Sequence, residues 1–392
     1  ERAVLRRLAV FAGEFVLDAA EPVGAGPDLT PAEVLGILTQ LVDKSLVEVD
    51  GGEDAAWYRL LEPVRQYAMQ HLVASGELAT VEARHAAYYT ALAEHAAPAL
   101  QGPAQVEWLA RLEREQGNLR AALHWAEARS DAEGALRLAT ALVPFWDIHG
   151  HITEGRRWLQ LALSLPADAV APRARVRALT GAGRLAYLHA AYAEAKTLLA
   201  ASLAQARELG DRRETAAALT YLGMVHRMQR DLPRSNRCLE EGLALYRALG
   251  DDTGIAFASR QLGSTALVNG DRLNAMRLLE ESLAGHTLLG DERAIAITQA
   301  MLGMAALHSG ERGRATDLLL AALRGHARLA DRWFVAFDLL GVAQVWLNRG
   351  QPEAAARFLG AADAIGETLG APIGNVTFGT LSELSLIHIS EP

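Results

Sequence analysis

Few residues of this chain have the types and spacing that catalysis requires. His149-Gly150-His151 could place two imidazoles on one metal ion, but no third ligand follows nearby in the sequence. The carboxylate pairs Asp251-Asp252 and Glu240-Glu241 fit a helix cap and a solvated helix face. A Gly-x-Ser-x-Gly nucleophile motif is absent. The sequence therefore predicts no metal site, no catalytic residue and no enzymatic activity for this chain.

The sequence also lacks the motif that binds nucleotide phosphates. A Gly-x-x-x-x-Gly-Lys-Ser/Thr loop uses its backbone amides and its lysine to hold the phosphates. The stretch Gly24-Ala25-Gly26-Pro27 has glycines but no lysine. We expect that this chain binds no cofactor and does not hydrolyse ATP by itself.

Composition narrows the choice of partners. The 392 residues are 51% hydrophobic and carry a formal net charge of -9, with the Lys and Arg residues spread along the chain. This balance argues against nucleic-acid and membrane-surface binding. The sequence contains no run of about 18 uncharged apolar residues, the length that a membrane-spanning helix needs. The single cysteine, Cys238, allows no internal disulfide, and we expect a cytoplasmic protein.

The clearest pattern is a repeat with a period of 40 residues. It is visible at Leu209-Gly210-Asp211, Leu249-Gly250-Asp251 and Leu289-Gly290-Asp291, and in altered form at Leu329-Ala330-Asp331 and Leu369-Gly370-Ala371. Glycine suits the left-handed position that ends one helix, and aspartate caps the start of the next. A fixed period of this size predicts a solenoid, a fold that binds partners along an extended concave surface.

Each repeat reads as two helices. A small residue such as Gly183 marks the first helix, and a turn residue such as Ala190 follows seven positions later. The pair Leu222-Gly223, the small residue Ala195 and the bulky Leu199 have spacings that resemble tetratricopeptide repeats, although the unit is longer than usual. We predict a mainly α protein that ends in a right-handed α-solenoid of five tetratricopeptide-like helix pairs over residues 173–380.

The N-terminal region follows a different pattern, in which helices precede a hairpin and a further helix comes after it. These elements are expected at residues 2–11, 17–23, 30–42, 46–49, 57–60 and 61–74. Asp50-Gly51-Gly52 is expected to form the hairpin turn. The order predicts a small winged-helix domain over residues 1–76, followed by a helical linker or atypical helical repeats over 77–172.

The third helix of that domain is the one that would enter a DNA groove. Between residues 30 and 45 it carries Glu33, Asp43 and only one cation, Lys44. Contact with DNA phosphates requires several cations. We therefore expect no direct nucleic-acid binding by this segment.

Several ordered blocks of sequence resemble one protein class. They read LAVFAGEF at residues 8–15, LVDKSLV at 41–47, YRLLEPVRQYA at 58–68, GNLRAALHW at 117–125, and FW at 145–146 with HGHITEGRRW at 149–158. The series resembles bacterial STAND-class signal-transduction ATPases, the LuxR-like and AfsR-like regulators. The resemblance covers nearly the whole chain, although it names an architecture and not an effector.

The resemblance implies that each domain of the full-length protein has its own role. In such regulators an ATPase domain with ATP or ADP and Mg²⁺ precedes the winged helix, which packs on it and transmits its nucleotide state. The repeats form the sensor arm for a small-molecule inducer or for a protein or peptide, and a DNA-binding output domain lies at one end. The alternative is a free-standing tetratricopeptide scaffold that joins partner proteins and has no nucleotide switch.

Both ends of the chain are unusual. It begins at Glu1, already inside an amphipathic helical pattern, so we expect a fragment whose ATPase domain lies upstream. Residues 384–392 depart from the Ala/Leu/Arg/Gly-rich composition before them and resemble translated sequencing-adapter read-through. We expect this non-native tail to carry no evolved function.

The candidate effector or partner site is the groove lined by the first helix of each repeat. Arginines beside aromatic rings suit an anionic or sugar-like ligand or an acidic peptide. The alternative is that they are solvated arginines and residues that pack between repeats. Projection from Gly183 and its equivalents gives the candidate residues Arg177, Arg184, Tyr187, Thr220, Met224, Arg227, Phe257, Arg260, Met304, Phe337 and Gln344.

Overall fold

The computed structural model describes residues 1–27, 29–51, 56–166 and 170–368, which form 19 helices and three strands. Two sequence features, Leu369-Gly370-Ala371 and the tail at 384–392, lie outside the described residues. The chain divides into two compact units. The first unit, called unit 1, comprises Glu1–Ala97, Glu107–Leu142 and Trp158–Ala174. The second, called the solenoid unit, comprises Pro98–Val106, Val143–Arg157 and the chain from Arg175 onward.

Unit 1 begins with the elements of a winged helix. They are α1 (Arg2–Leu8), β1 (Phe15–Val16), α2 (Leu17–Gly24), α3 (Pro31–Asp43), β2 (Val47–Gly51), β3 (Ala56–Leu60) and α4 (Glu62–Ala74). A capping box starts α3, because Thr30 and Glu33 each bond the other's backbone amide. Five helices follow along the chain, and all but α7 have residues in both units: α5 (Leu78–Ala99), α6 (Gln105–Arg114), α7 (Gln116–Ala128), α8 (Ala132–Ile148) and α9 (Ile152–Ser164).

The three strands form one antiparallel sheet in the order β1-β3-β2. The predicted hairpin is confirmed, but its predicted turn starts too early, since Asp50 and Gly51 lie in β2 and pair with Trp57 and Ala56. The ladder continues to Gly51, and residues 52–55 of the connection lie outside the described residues. The sequence did not predict β1, because two residues show no alternation.

The solenoid unit contains five helix pairs, as the 40-residue period predicts. They are α10 (Pro172–Leu188) with α11 (Tyr192–Glu208), α12 (Arg212–Met228) with α13 (Leu232–Leu249), α14 (Asp252–Val268) with α15 (Arg272–Leu289), α16 (Glu292–His308) with α17 (Arg312–Arg328), and α18 (Arg332–Asn348) with α19 (Pro352–Thr368).

The repeat junctions have the predicted capping geometry. Gly250 ends α13 with a φ of 64°, a left-handed conformation that glycine adopts without strain. Asp251 then accepts a hydrogen bond from the Gly254 amide at 3.0 Å and so caps α14. An aspartate thus satisfies one of the first amides of the helix that follows each of the four junctions between repeats.

The small and bulky residues of the repeat face each other within each pair. A Cβ added to Gly223 in α12 would come within 2.6 Å of Leu239 Cγ in α13. Gly263 and Leu279 form the equivalent contact in the next pair. The glycine thus allows the two helices to approach closely.

None of the helices in the described part of the chain is long and apolar enough to span a lipid bilayer.

Candidate functional site

Asn118 joins two separated blocks of unit 1. Its Oδ1 accepts a hydrogen bond from the Ala12 amide at 2.8 Å, and its Nδ2 donates to the Glu14 carbonyl at 2.7 Å and to Glu115 Oε2 at 3.2 Å. The side chain is fully buried. Asn118 therefore uses its carbonyl and its amino group to hold the loop after α1 against the start of α7. We call Ala12, Glu14, Glu115 and Asn118 the Asn118 junction.

A glycine makes this contact possible. A Cβ added to Gly117 would come within 3.0 Å of the Ala12 carbonyl oxygen. Both blocks, at residues 8–15 and 117–125, stand out in the sequence, but no pattern there shows that they touch. The structure brings them together.

Further buried polar side chains lie behind the junction. Tyr89 donates its hydroxyl hydrogen bond to Glu115 Oε2 at 2.7 Å. Burial raises the pKa of Glu115, and the hydrogen bonds from Tyr89 and Asn118 oppose that shift. The ring of His85 lies 4.6 Å from that of Tyr89, and burial lowers the pKa of His85 to about 4. His85 is therefore uncharged at neutral pH.

The β2–β3 hairpin, which is the wing of the domain, is attached to α6. Arg114 pairs with Glu14 and, at 2.8 Å, with Asp50 of β2. The Arg114 Cζ also lies 4.3 Å from the centre of the Trp57 ring in β3. One guanidinium thus contacts both strands of the wing.

The structure also places the few charges of α3. Glu33 caps its own helix through Thr30. Lys44, the cation after its last turn, pairs with Glu1 at 2.5 Å. The absence of direct nucleic-acid binding by this segment stays a prediction.

The second candidate site is the inner face of the solenoid unit, which we define as the side of α10, α12, α14, α16 and α18 that surrounds Asp147. This residue lies at the end of α8. It is paired with Arg184 of α10 and, at 3.0 Å, with Arg293 of α16. Because α10 and α16 belong to repeats three apart, the first helices must curve around this one carboxylate.

The charges around Asp147 compensate each other. Burial acts to raise the pKa of Asp147, but the charges of Arg293 and Arg184 outweigh it and hold that pKa at about 2. Arg293 also pairs through Nε with Asp331 at 2.6 Å. Burial works against the charge of Arg293, yet the two carboxylates raise its pKa. These side chains form a buried network in which positive and negative charges balance.

Two further arginines lie on this face. Arg227 donates to Gln261 Oε1 at 3.1 Å and to the Gln261 carbonyl at 3.2 Å. Arg260 is only 7% exposed, and neither its Nε nor its Nη1 has a hydrogen-bond partner. Its Cζ lies 5.4 Å from the ring centre of Phe257, which packs 5.5 Å from Tyr221. Burial lowers the pKa of Arg260 to about 10, so the side chain is still charged at neutral pH.

The remaining predicted residues have other surroundings. Arg177 is half exposed and pairs with Glu214 at 2.8 Å. Thr220 is fully buried and donates to the Ala216 carbonyl. Phe337 is buried, and the Tyr187 ring lies 5.9 Å from that of Tyr192. The partly buried members of the set are Met224, Met304 and Gln344.

The structure therefore brings Arg184, Phe257 and Arg260 together with three residues that the sequence projection missed. Tyr221 is the immediate neighbour of a predicted residue, Thr220. Arg293 holds a position that the projection did not use, where the other repeats carry Arg173, Arg213, Thr253 and Trp333. Asp147 lies outside the repeats, and no pattern in the sequence links it to them.

His149 and His151 also belong to the solenoid unit. Their rings lie 5.1 Å and 5.6 Å from the Phe145 ring. The interpretation of the pair as part of a structural loop without a metal stays a prediction.

Fold and site define a winged-helix domain joined on one chain to a tetratricopeptide-like solenoid. Residues 1–73 match the family model described as a winged helix-turn-helix domain. The chain is 42% identical over 221 residues to the Putative HTH-type transcriptional regulator Rv0890c of Mycobacterium tuberculosis, a match that covers 54% of this chain and 24% of that protein. It is 51% identical over 86 residues to Uncharacterized protein Rv0894 of the same organism, covering 22% of each. The chain thus spans about a quarter of the length of these relatives.

Among solved structures, the fold is similar to that of the apo form of RapI. The TM-score is 0.53 at 12% sequence identity, and the match covers 66% of this chain and 93% of that one. This likeness supports the helical-repeat fold.

Proposed function

We propose that this chain is the sensor and regulatory arm of a STAND-class, ATP-dependent transcriptional regulator of the LuxR-like or AfsR-like type. An effector or protein partner binds the inner face of the solenoid unit. The winged-helix domain passes the resulting change to an ATPase domain that lies outside this chain and binds ATP or ADP with Mg²⁺. The effector acts by shifting the balance between two conformations.

The observation that carries the proposal is the attachment of the wing. A winged helix that reads DNA presents a basic recognition helix and a free wing to the duplex. Here Arg114 contacts both strands of the wing, and Lys44 after α3 is paired with Glu1. This arrangement supports a domain that transmits movement between parts of a protein over one that reads DNA.

The relatives support the same role. The name of Rv0890c contains the words transcriptional regulator. The match to that protein extends over more residues than the winged helix occupies. In a regulator, a winged helix that does not read DNA is expected to act on another domain of the protein.

The test uses the full-length protein, cloned from the genomic locus across both ends of this reading frame. We expect an upstream phosphate loop, and we expect Arg114→Ala to change the rate of ATP hydrolysis several-fold because it releases the wing. Arg59→Ala is the matched control, since Arg59 lies in the same hairpin and, within the described residues, pairs with Glu48 on the neighbouring strand. Its hydrolysis rate should equal that of the wild type.

Two results would overturn the proposal. One is a start codon and promoter directly before Glu1, which would favour the free-standing scaffold. The other is an unchanged hydrolysis rate in Arg114→Ala.

A further inference from the structure

The structure assigns Arg260 as the binding residue for a carboxylate group of a small ligand on the inner face of the solenoid unit. This inference rests on the proposed role of the solenoid as a sensor arm and names the chemistry that the arm recognises. Phe257 and Tyr221 form the wall beside that carboxylate. Neither ring supplies a countercharge, so the guanidinium is the only group of the three that attracts an anion.

Arg184, Arg227, Arg260 and Arg293 of the inner face differ in their partners. Arg184 and Arg293 bind Asp147, and Arg227 binds Gln261. Within the described residues, Arg260 alone of these four leaves two guanidinium nitrogens without a partner. The repeat pattern does not require an arginine there, because the equivalent positions hold Thr180, Thr220, Ala300 and Leu340.

Burial of the Arg260 guanidinium is unfavourable for the stability of the fold. A buried charge without a partner is strongly destabilising, and an arginine does not escape the cost by losing its proton at neutral pH. An isolated chain therefore gains nothing in stability from Arg260. An incoming anion would supply the missing partner.

The neighbouring carboxylates already have other partners. Asp291 accepts hydrogen bonds from the Ala294 amide at 3.0 Å and from Gln105 Nε2 at 3.3 Å. Asp331 caps α18 and binds Arg293. Neither oxygen pair forms a hydrogen bond with Arg260.

We assign a second buried side chain, His286, to the same ligand site. His286 in α15 is 2% exposed, and neither of its ring nitrogens has a hydrogen-bond partner. Its Nδ1 lies 4.0 Å from Asp291 Oδ2, which is too long for a hydrogen bond. The helix α15 is paired with α14, which carries Arg260. A neutral imidazole there can donate a hydrogen bond to an oxyanion.

The charge count favours a monoanion. Arg260 forms no ion pair with a described carboxylate, and Asp291, whose charge acts on it, is already bonded to the Ala294 amide and to Gln105, so one positive charge lacks a bound anion. A carboxylate matches that single charge, and a phosphate dianion would exceed it. The rings of Phe257 and Tyr221 then contact the apolar or sugar-like part of the ligand.

The test measures thermal unfolding of the purified chain in sodium acetate, sodium phosphate and sodium chloride at matched ionic strength. We expect 100 mM acetate, on the order of tenfold above the dissociation constant of a weak anion site, to raise the wild-type Tm by about 2 °C relative to chloride. Arg260→Met should abolish this increment. Arg177→Met is the control, because its guanidinium is half exposed on the same row of helices, and it should keep the increment.

A second measurement guards against a variant that merely folds poorly. In chloride alone, Arg260→Met should have a Tm equal to or higher than that of the wild type, because the substitution removes an unpartnered buried charge. A lower Tm would mean that Arg260 has a structural role, and this would overturn the assignment.

The remaining outcomes are equally decisive. An acetate increment that survives in Arg260→Met overturns the proposal. A larger increment in phosphate that Arg260→Met abolishes overturns the choice of a carboxylate. Both measurements use this chain without nucleotide, so a failure of the proposed ATPase coupling would leave them unchanged.

Discussion

The Asn118 junction and the inner face both bury polar groups, but they differ in where the partners come from. At the junction, Asn118 finds three partners within the chain. Glu115 leaves one oxygen unpartnered there, yet burial raises its pKa and so favours the neutral form. On the inner face, Arg260 is unpartnered and keeps its charge. Asn118 is thus satisfied by partners within the chain, whereas Arg260 leaves two guanidinium nitrogens without a partner.

The largest effect is expected from a substitution in the buried ion-pair network around Asp147. Arg293→Met should lower the free energy of unfolding by about 4 kcal/mol, because it leaves Asp147 and Asp331 buried without their main partner. Urea unfolding followed by circular dichroism measures the change. Arg177→Met should cost less than about 1 kcal/mol, since it removes an exposed pair. Equal losses in the two variants would contradict the contrast between buried and exposed arginines.

The second-largest effect is expected from a substitution in the Asn118 junction. Asn118→Ala should lower the free energy of unfolding by about 3 kcal/mol, because three hydrogen bonds disappear and the Ala12 amide and Glu14 carbonyl lose their partner. The same urea titration applies. Glu107→Ala, on the exposed side of α6, should change the value by less than about 0.5 kcal/mol. A loss below 1 kcal/mol in Asn118→Ala would show that the junction is not a major source of stability.

The third prediction uses pH to compare one buried histidine from each unit. Burial lowers the pKa of His85 to about 4 and, with help from the charge of Arg260, that of His286 to about 3, against an ordinary value of 6.5. The unfolded chain therefore takes up these protons first as the pH falls. Stability is fully present above pH 6.5 and is lost as the pH falls towards the folded pKa values.

The matched variants separate the two contributions. His286→Phe and His85→Phe should each reduce the slope of unfolding free energy against pH, between pH 6 and 4, by about 1.4 kcal/mol per unit. Urea unfolding at four pH values measures the slopes. An unchanged slope in either variant would show that its histidine is protonated equally in both states.

The smallest effect concerns the wing. Arg114→Ala should cost about 1 kcal/mol, because its pairs with Glu14 and Asp50 are partly exposed. The loss should exceed that of Arg59→Ala, whose pair with Glu48 is more exposed. Urea unfolding of the two variants shows which substitution lowers the free energy of unfolding more. The reverse order would mean that Arg114 adds little to the attachment of the wing.

Much of the fold was predictable because its causes are local. The aspartate caps and the left-handed residue, which is a glycine at three of the four junctions between repeats, lie within a few residues of the turns that they determine. The facing of Gly223 and Leu239 follows from two helices of fixed length. The two-residue strand β1 was missed, because it exists only through its pairing with β3.

The candidate sites were less predictable. Helical projection named Arg184, Arg227 and Arg260 together, since all three lie on first helices. It could not separate them, because their difference depends on partners elsewhere. Arg184 is paired with Asp147, which precedes it by 37 residues and belongs to no repeat.

The sequence by itself determined the helix pairs, their caps, the winged helix and the set of arginines that the first helices carry. Only the tertiary structure decided that Asn118 holds the loop after α1 and that Arg260 lacks a partner. Capping depends on neighbours in the chain, whereas a hydrogen bond or ion pair depends on atoms within about 3 Å in space. Which atoms meet at that distance is set by packing, and packing is complete only when all the helices are in place.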